Sequence, residues 1–98
     1  TLIRAKRLQE RAGRAGFDWE SAEDVWKKVE EEWEELQEAR RNGRDKEVEE
    51  EFGDLMIAMV NLGRFIEVDA DHALRMAIEK FVRRFTAIEK ELAGKGKD

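Results

Sequence analysis

The chain has 98 residues, a formal net charge of −5, one histidine and no cysteine, proline or tyrosine. That length suits a single domain over 1–98. The acidic balance argues against a nucleic-acid binder held by phosphate contacts, and the absence of cysteine excludes disulfides, zinc–thiolate sites and thiol catalysis. No segment is long and apolar enough for a signal peptide or a membrane span, so a cytoplasmic protein without membrane partners is expected.

The apolar residues are periodic, and the periods predict four helices. The first covers Leu2 to Ala12 and is broken by Gly13 and Gly16, ahead of a loop with Phe17, Asp18 and Trp19. The second starts near Ser21, with Asp24 three residues on in the manner of a capping box. It ends near Arg41, before Asn42-Gly43. The third runs from Arg44 or Asp45 to about Ile66. The fourth is capped by Asp69 or Asp71 and reaches about Leu92, with a frayed tail from Gly94. Short connections make neighbouring helices antiparallel. The expected fold is therefore an all-α antiparallel bundle of about four helices.

Helical wheels place the chemistry. In helix two the stripe Val25, Val29, Leu36 contains Glu32, with Lys28 and Glu35 on its edge and Glu31 further out. In helix three the stripe Val48, Phe52, Leu55, Met59, Leu62, Ile66 has Glu51 on its edge and Asp54 beyond. Helix three is apolar nearly all round from Leu55 to Leu62, apart from Asn61. So apolar a helix is buried on more than one face, and one small domain hardly covers it, which points to a second subunit. In helix four the stripe Leu74, Ile78, Phe81, Phe85, Ile88, Leu92 is flanked by Lys80 and Arg84, one turn apart.

Two acid pairs at i,i+3 spacing, Glu32 with Glu35 and Glu51 with Asp54, thus face each other from adjacent helices and make a four-carboxylate cage. Carboxylates crowded at a core edge require a cation, and an all-oxygen donor set selects Mg²⁺ or Mn²⁺. Simpler readings stand beside this one. A run such as Glu30 to Glu35 is more often a solvated face with i,i+4 pairs. Lys80 and Arg84 are more often surface charges. Asn61 is either a satisfied interhelical hydrogen-bonding group or a ligand contact. His72 is structural or exposed, Trp26 and Trp33 are packing or interface residues rather than base-stacking ones, and Trp19, in its loop, is more often a buried anchor than a substrate contact.

The same residues carry a family resemblance. Glu31-Glu32-Trp33-Glu34-Glu35 reads as Glu-Glu-x-x-Glu, and Glu51-Phe52-Gly53-Asp54 as Glu-x-x-Asp. Together they resemble the signature of the all-α nucleoside-triphosphate pyrophosphatases. The stretches Gly53 to Arg64, Ala73 to Phe85, Arg4 to Glu10 and Gly16 to Trp19 are most similar to the MazG type, its C-terminal domain above all. The resemblance implies Mg²⁺-dependent hydrolysis of nucleoside triphosphates to monophosphate and pyrophosphate by a homodimer. It implies Glu32, Glu35, Glu51 and Asp54 as metal ligands, with Glu31, Glu32 and Glu35 as the acids closest to the chemistry. Lys28, Lys80 and Arg84 match triphosphate contacts, and Asn61 joins them as a substrate-binding candidate.

Two departures stand out. Glu47, beside Lys46, stands near a position where relatives often carry a base. The family's base-contacting aromatic residue would lie beyond Asp98, which leaves either a piece of a longer protein or a compact form with altered base recognition. The alternative function is a weakened dimerisation or regulatory domain that binds metal and nucleotide without efficient turnover.

Overall fold

A computed structural model describes residues 1–95. They form four helices: α1 Leu2–Arg14, α2 Ala22–Arg41, α3 Asp45–Phe65 and α4 Ala70–Lys95. The described residues contain no strand, so the fold is all-α as the periodicity predicts. None of the four helices is long and apolar enough to cross a membrane.

The helix starts follow local chemistry. Ser21 is extended (φ −150°) and its hydroxyl accepts from the Asp24 amide at 3.3 Å, which satisfies one of the donors left open at the start of α2. Asp69 does the same for α4, its Oδ1 accepting from the amides of Asp71 (3.1 Å) and His72 (3.5 Å).

The first three helices end in one way. A residue with positive φ follows the cap, and the next amide folds back to a carbonyl five residues earlier. Gly16 (φ 93°) brings Phe17 N onto Ala12 O at 2.8 Å, and Gly43 (φ 64°) brings Arg44 N onto Ala39 O at 3.2 Å. At the end of α3 the left-handed residue is Glu67 (φ 61°), with Val68 N on Gly63 O at 2.8 Å. A side chain in that region costs roughly 1–2 kcal/mol that glycine escapes. Glu67 is exposed and takes part in no hydrogen bond or ion pair among the described residues. Glu67→Gly is therefore expected to raise stability by about 1 kcal/mol, read as a higher Tm.

Two boundaries differ from expectation. Helix α1 runs through Gly13 to Arg14, because Gly13 is a packing glycine rather than a stop. A Cβ there would lie 2.6 Å from Asp18 Oδ2 and 3.2 Å from Arg64 Nη2. Helix α4 runs on to Lys95, beyond the expected end near Leu92, and the last residues of the tail expected to fray, 96–98, lie outside the described residues.

Helices α2 and α3 form a tight hairpin across Asn42–Gly43–Arg44. Helix α1 packs on α3 and is tied to it where Gln9 Nε2 donates to the Ile57 carbonyl at 3.0 Å. The core is small: Val25, Ala39, Ala58, Val60 and Leu62, with Glu32 and Asn61 buried among them. Helix α4 does not fold back. It meets α1 and α3 but not α2, and from His72 onward every described side chain is exposed, apolar stripe included. The intrachain bundle is thus α1–α3, and α4 projects from it, giving extents of 64 × 35 × 22 Å. The turn at Gly63–Val68, closed by Val68 N on Gly63 O, sets the direction of α4, and Phe52, Met56 and Met59 on the outer face of α3 are left exposed.

Candidate active site and metal centre

The α2–α3 hairpin sets the acids against each other. Glu32 is only 5% exposed, the one buried acid among the described residues, as its place inside the stripe predicts. Its Oε1 pairs with Lys28 Nζ at 2.8 Å, one turn earlier on α2. Carboxylate oxygens of Glu32, Glu35 and Glu51 all lie within 4.8 Å of one another, so these three residues can hold a metal ion. Glu32 Oε2 and Glu51 Oε2 are buried without a hydrogen-bond partner. Orphaned acceptors converging from two helices are costly unless a cation meets them.

The electrostatics of the cluster follow from the same crowding. Desolvation, and then the Glu35 and Glu32 carboxylates beside it, push the Glu51 carboxyl up to about 7. Glu32 is driven the other way, below the usual carboxylate range, chiefly by its hydrogen bond from Lys28. Lys28 is raised in turn by that same bond. The metal-free cluster therefore keeps a proton on Glu51 near neutrality.

The other candidates fall into three places. Glu31 is exposed and lies 3.9 Å from Lys28 at the rim. Asp54 stands outside the tight group. It is exposed and lines, with Glu32 and Lys28, a neighbouring cavity of about 430 Å³. Asn61 lines the same cavity, and its Oδ1 accepts from Arg64 Nη1 one turn along the same helix, so the interhelical bond considered for it is absent among the described residues. Lys80 and Arg84 lie on exposed α4 and make no ion pair with the α2 or α3 acids among the described residues.

Several residues of this cavity are not marked as site residues by the sequence. Arg64 grips the loop acid Asp18 at 3.0 and 3.4 Å and holds its carboxyl below the usual range, which fixes the α1–α2 loop against α3. Gln9 lines the wall as well, with Phe17 exposed and Trp19 about half-buried. The spacing of Asn61 and Arg64, three apart at the end of an apolar run, was the one signal available for Arg64. Nothing local marks Asp18, because its partner is 46 residues away.

Comparison with known proteins agrees with the geometry. Residues 20–93 match the family model of the MazG nucleotide pyrophosphohydrolase domain. The chain is 48% identical over 88 residues to a Thermotoga maritima protein named nucleoside triphosphate pyrophosphohydrolase/pyrophosphatase MazG, covering 90% of this chain and 33% of that one. It is 44% identical over 97 residues to the Escherichia coli K12 nucleoside triphosphate pyrophosphohydrolase, covering 97% of this chain and 37% of that one. A Bacillus subtilis protein, the uncharacterized YabN, is 44% identical over 46 residues, 47% of this chain and 9% of its own length. The chain thus spans about a third of the length of the first two relatives. With both acid pairs inside the matched region, the chain belongs to the MazG nucleotide pyrophosphohydrolase domain family.

Proposed function

We propose that this chain hydrolyses nucleoside triphosphates to nucleoside monophosphate and pyrophosphate, and that it does so with Mg²⁺ held by Glu32, Glu35 and Glu51, with Asp54 at the open side. The observation that carries this reading is the convergence of three carboxylates, two of them with buried, partnerless oxygens, one of which, Glu32, also lines the neighbouring cavity. The donors are all oxygen, and the chain has no cysteine and an exposed His72, so the residues present fit a hard divalent cation and not zinc. When bound, such an ion supplies positive charge against the phosphate oxygens and acidifies nearby water.

The remaining work falls to the chain. Glu32 and Lys28 form a fixed pair, so Glu32 stays ionised and correctly turned while Lys28 faces the phosphates from the rim. Glu31 or Glu35 accepts the proton of the attacking water. Water adds across the α–β phosphoanhydride, one side leaving as the monophosphate and the other as pyrophosphate. The cavity bounded by Phe17, Trp19, Asn61 and Arg64 gives the nucleoside a place beside the acids. Incubation with each of the four NTPs and Mg²⁺, with products separated by ion exchange, tests this: pyrophosphate is expected, and orthophosphate as the primary product would contradict it.

The chain also works as a homodimer. It exposes 8134 Å², where a folded monomer of 11.5 kDa exposes roughly 5,800 Å². The excess is roughly 2,300 Å² per chain, in the range an obligate dimer covers. It includes Phe52, Met56 and Met59 on α3 and the whole α4 stripe, each about half exposed or more. Sedimentation should show a dimer or a larger assembly, and a stable monomer would contradict this.

A further inference from the structure

Asn61 is the one buried neutral polar side chain among the described residues, 7% exposed on α3, and only half of its carboxamide is accounted for. Its Oδ1 accepts from Arg64 Nη1, one turn further along the helix. Its Nδ2 donates to nothing among the described residues. A buried amide donor takes its acceptor from the protein, from water or from a ligand.

The carboxamide is not free to turn over. Arg64 is itself gripped, with Nη2 at 3.0 Å from Asp18 Oδ2 and Nη1 at 3.4 Å from Asp18 Oδ1, and its side chain is only 15% exposed. Asp18 is seated against α1, where Gly13 leaves the room: a Cβ there would lie 2.6 Å from Asp18 Oδ2 and 3.2 Å from Arg64 Nη2. A guanidinium has donors and no acceptor. It therefore holds Asn61 by the oxygen and cannot hold it by the nitrogen. The Asp18–Arg64 pair thus fixes which end of Asn61 stays available, and that end is the NH₂. An arginine beside a phosphate site is an obvious phosphate ligand. Here both terminal nitrogens are engaged within the chain.

The cavity of about 430 Å³ has Glu32 and Asp54 in its wall as well as Asn61. Asp54, Ile57, Ala58 and Asn61 follow one another along the same face of α3. Asn61 is seven residues beyond Asp54, roughly 10 Å along the axis. A nucleotide held by its phosphates at the acid end crosses that distance with its sugar and meets Asn61 with its base. Other donors in the wall are spent, Gln9 Nε2 on the Ile57 carbonyl at 3.0 Å and Lys28 Nζ on Glu32 at 2.8 Å. Every nucleobase has a ring nitrogen or a carbonyl oxygen that accepts.

We propose that Asn61 Nδ2 donates to an acceptor on the nucleobase, and that Arg64 and Asp18 are positioning residues that keep this amide turned the right way. This rests on the pyrophosphohydrolase reading above, which it deepens by naming the contact to the base. One donor set against an acceptor that all bases possess gives a grip on the base without a choice among bases.

Asn61→Asp tests it, because the variant keeps the oxygen that Arg64 binds and replaces the NH₂ with a second oxygen. It should raise KM for the NTPs roughly 10-fold or more, with kcat changed far less. The comparison is made at roughly 0.15 M salt, where a charge added about 10 Å from the phosphates is largely screened. With ribose 5-triphosphate, which has no base, wild type and Asn61→Asp should behave alike. Arg64→Met should raise KM in the wild-type background and add nothing to it in Asn61→Asp, the mark of a residue that acts through the amide. Three results would overturn the proposal: a wild-type KM in Asn61→Asp, an equal penalty with ribose 5-triphosphate, or an Arg64→Met effect of the same size in both backgrounds. Should Arg64→Met fail to fold, the comparison with and without the base decides alone. Should the wild type release no pyrophosphate, the pyrophosphohydrolase reading fails, and the Kd values of the same triphosphates with Mg²⁺ still decide whether Asn61 holds the base.

Discussion

Glu51→Gln is expected to cut pyrophosphate release on the order of 100-fold or more, and at the same time to leave the metal-free protein at least as stable as the wild type. The first effect follows because even groups that only orient a metal's ligands are worth up to that factor. The second follows from the crowding of Glu51 with Glu32 and Glu35, whose oxygens lie within 4.8 Å of one another. A neutral amide of the same shape removes a like charge from a partly buried cluster. The pH dependence of the wild type carries the sign. Glu51 titrates at an ordinary 4.5 in the unfolded chain and at about 7 in the fold. Between these values the folded state holds the additional proton. Stability fully present below pH 4.5 is therefore lost as the pH rises toward 7 and through it. Glu32, lowered by Lys28, contributes oppositely: its stabilisation is present above pH 4.5 and is lost as the pH falls through its own depressed pKa. Metal-free melting curves should thus fall from pH 5 to pH 7, flatten in Glu51→Gln, and recover with Mg²⁺, because the ion binds only the folded site. Mg²⁺ binding at pH 6 should also release about one proton per site, and at pH 8.5 almost none.

Gly63→Ala is expected to destabilise the chain by about 2–3 kcal/mol, a large share of what a domain of this size has. The added methyl would lie 2.5 Å from the Val68 carbonyl oxygen and 3.6 Å from its carbon. Both are backbone atoms of the turn into α4, and the Val68 amide is bonded to the Gly63 carbonyl. No side chain can move aside to make room. Gly53, on an open face of the same helix, meets nothing within 4 Å. Gly53→Ala should therefore stabilise by about 0.5–1 kcal/mol through helix propensity. Chemical denaturation of the two variants gives opposite signs if the close approach at Gly63 is what matters, and the same sign if it is not. Gly63→Ala also misdirects α4, so it should weaken self-association, which a purely local packing fault would not do.

What could be read from sequence divides along the range of the interactions. The caps at Ser21 and Asp69 and the left-handed turn at Gly43 are decided within a few residues, and each is where the pattern puts it. Glu32 was marked by an acid falling inside an apolar stripe, and it is the acid that the fold buries. Gly13 was misread as a helix stop because its reason lies in Asp18 and in Arg64, on another helix. The left-handed cap at Glu67 had no glycine to announce it. Periodicity placed an apolar face on α4 and bases beside it. It does not say which chain receives that face, since a stripe reports that burial is needed and not where it occurs. Of the four acids expected together, Glu32, Glu35 and Glu51 come within reach of one another and Asp54 stands outside their group, while the relation of Lys80 and Arg84 to them depends on the direction of one turn.

A metal-dependent site at Glu32, Glu35 and Glu51 makes a prediction that binding alone can check. Titration of the chain with Mn²⁺, followed by electron paramagnetic resonance, tests it most directly. One tightly held, oxygen-ligated Mn²⁺ site per chain, displaced by Mg²⁺ and lost in Glu51→Gln, is the predicted result. Equal binding by wild type and Glu51→Gln, or no binding by either, would contradict it.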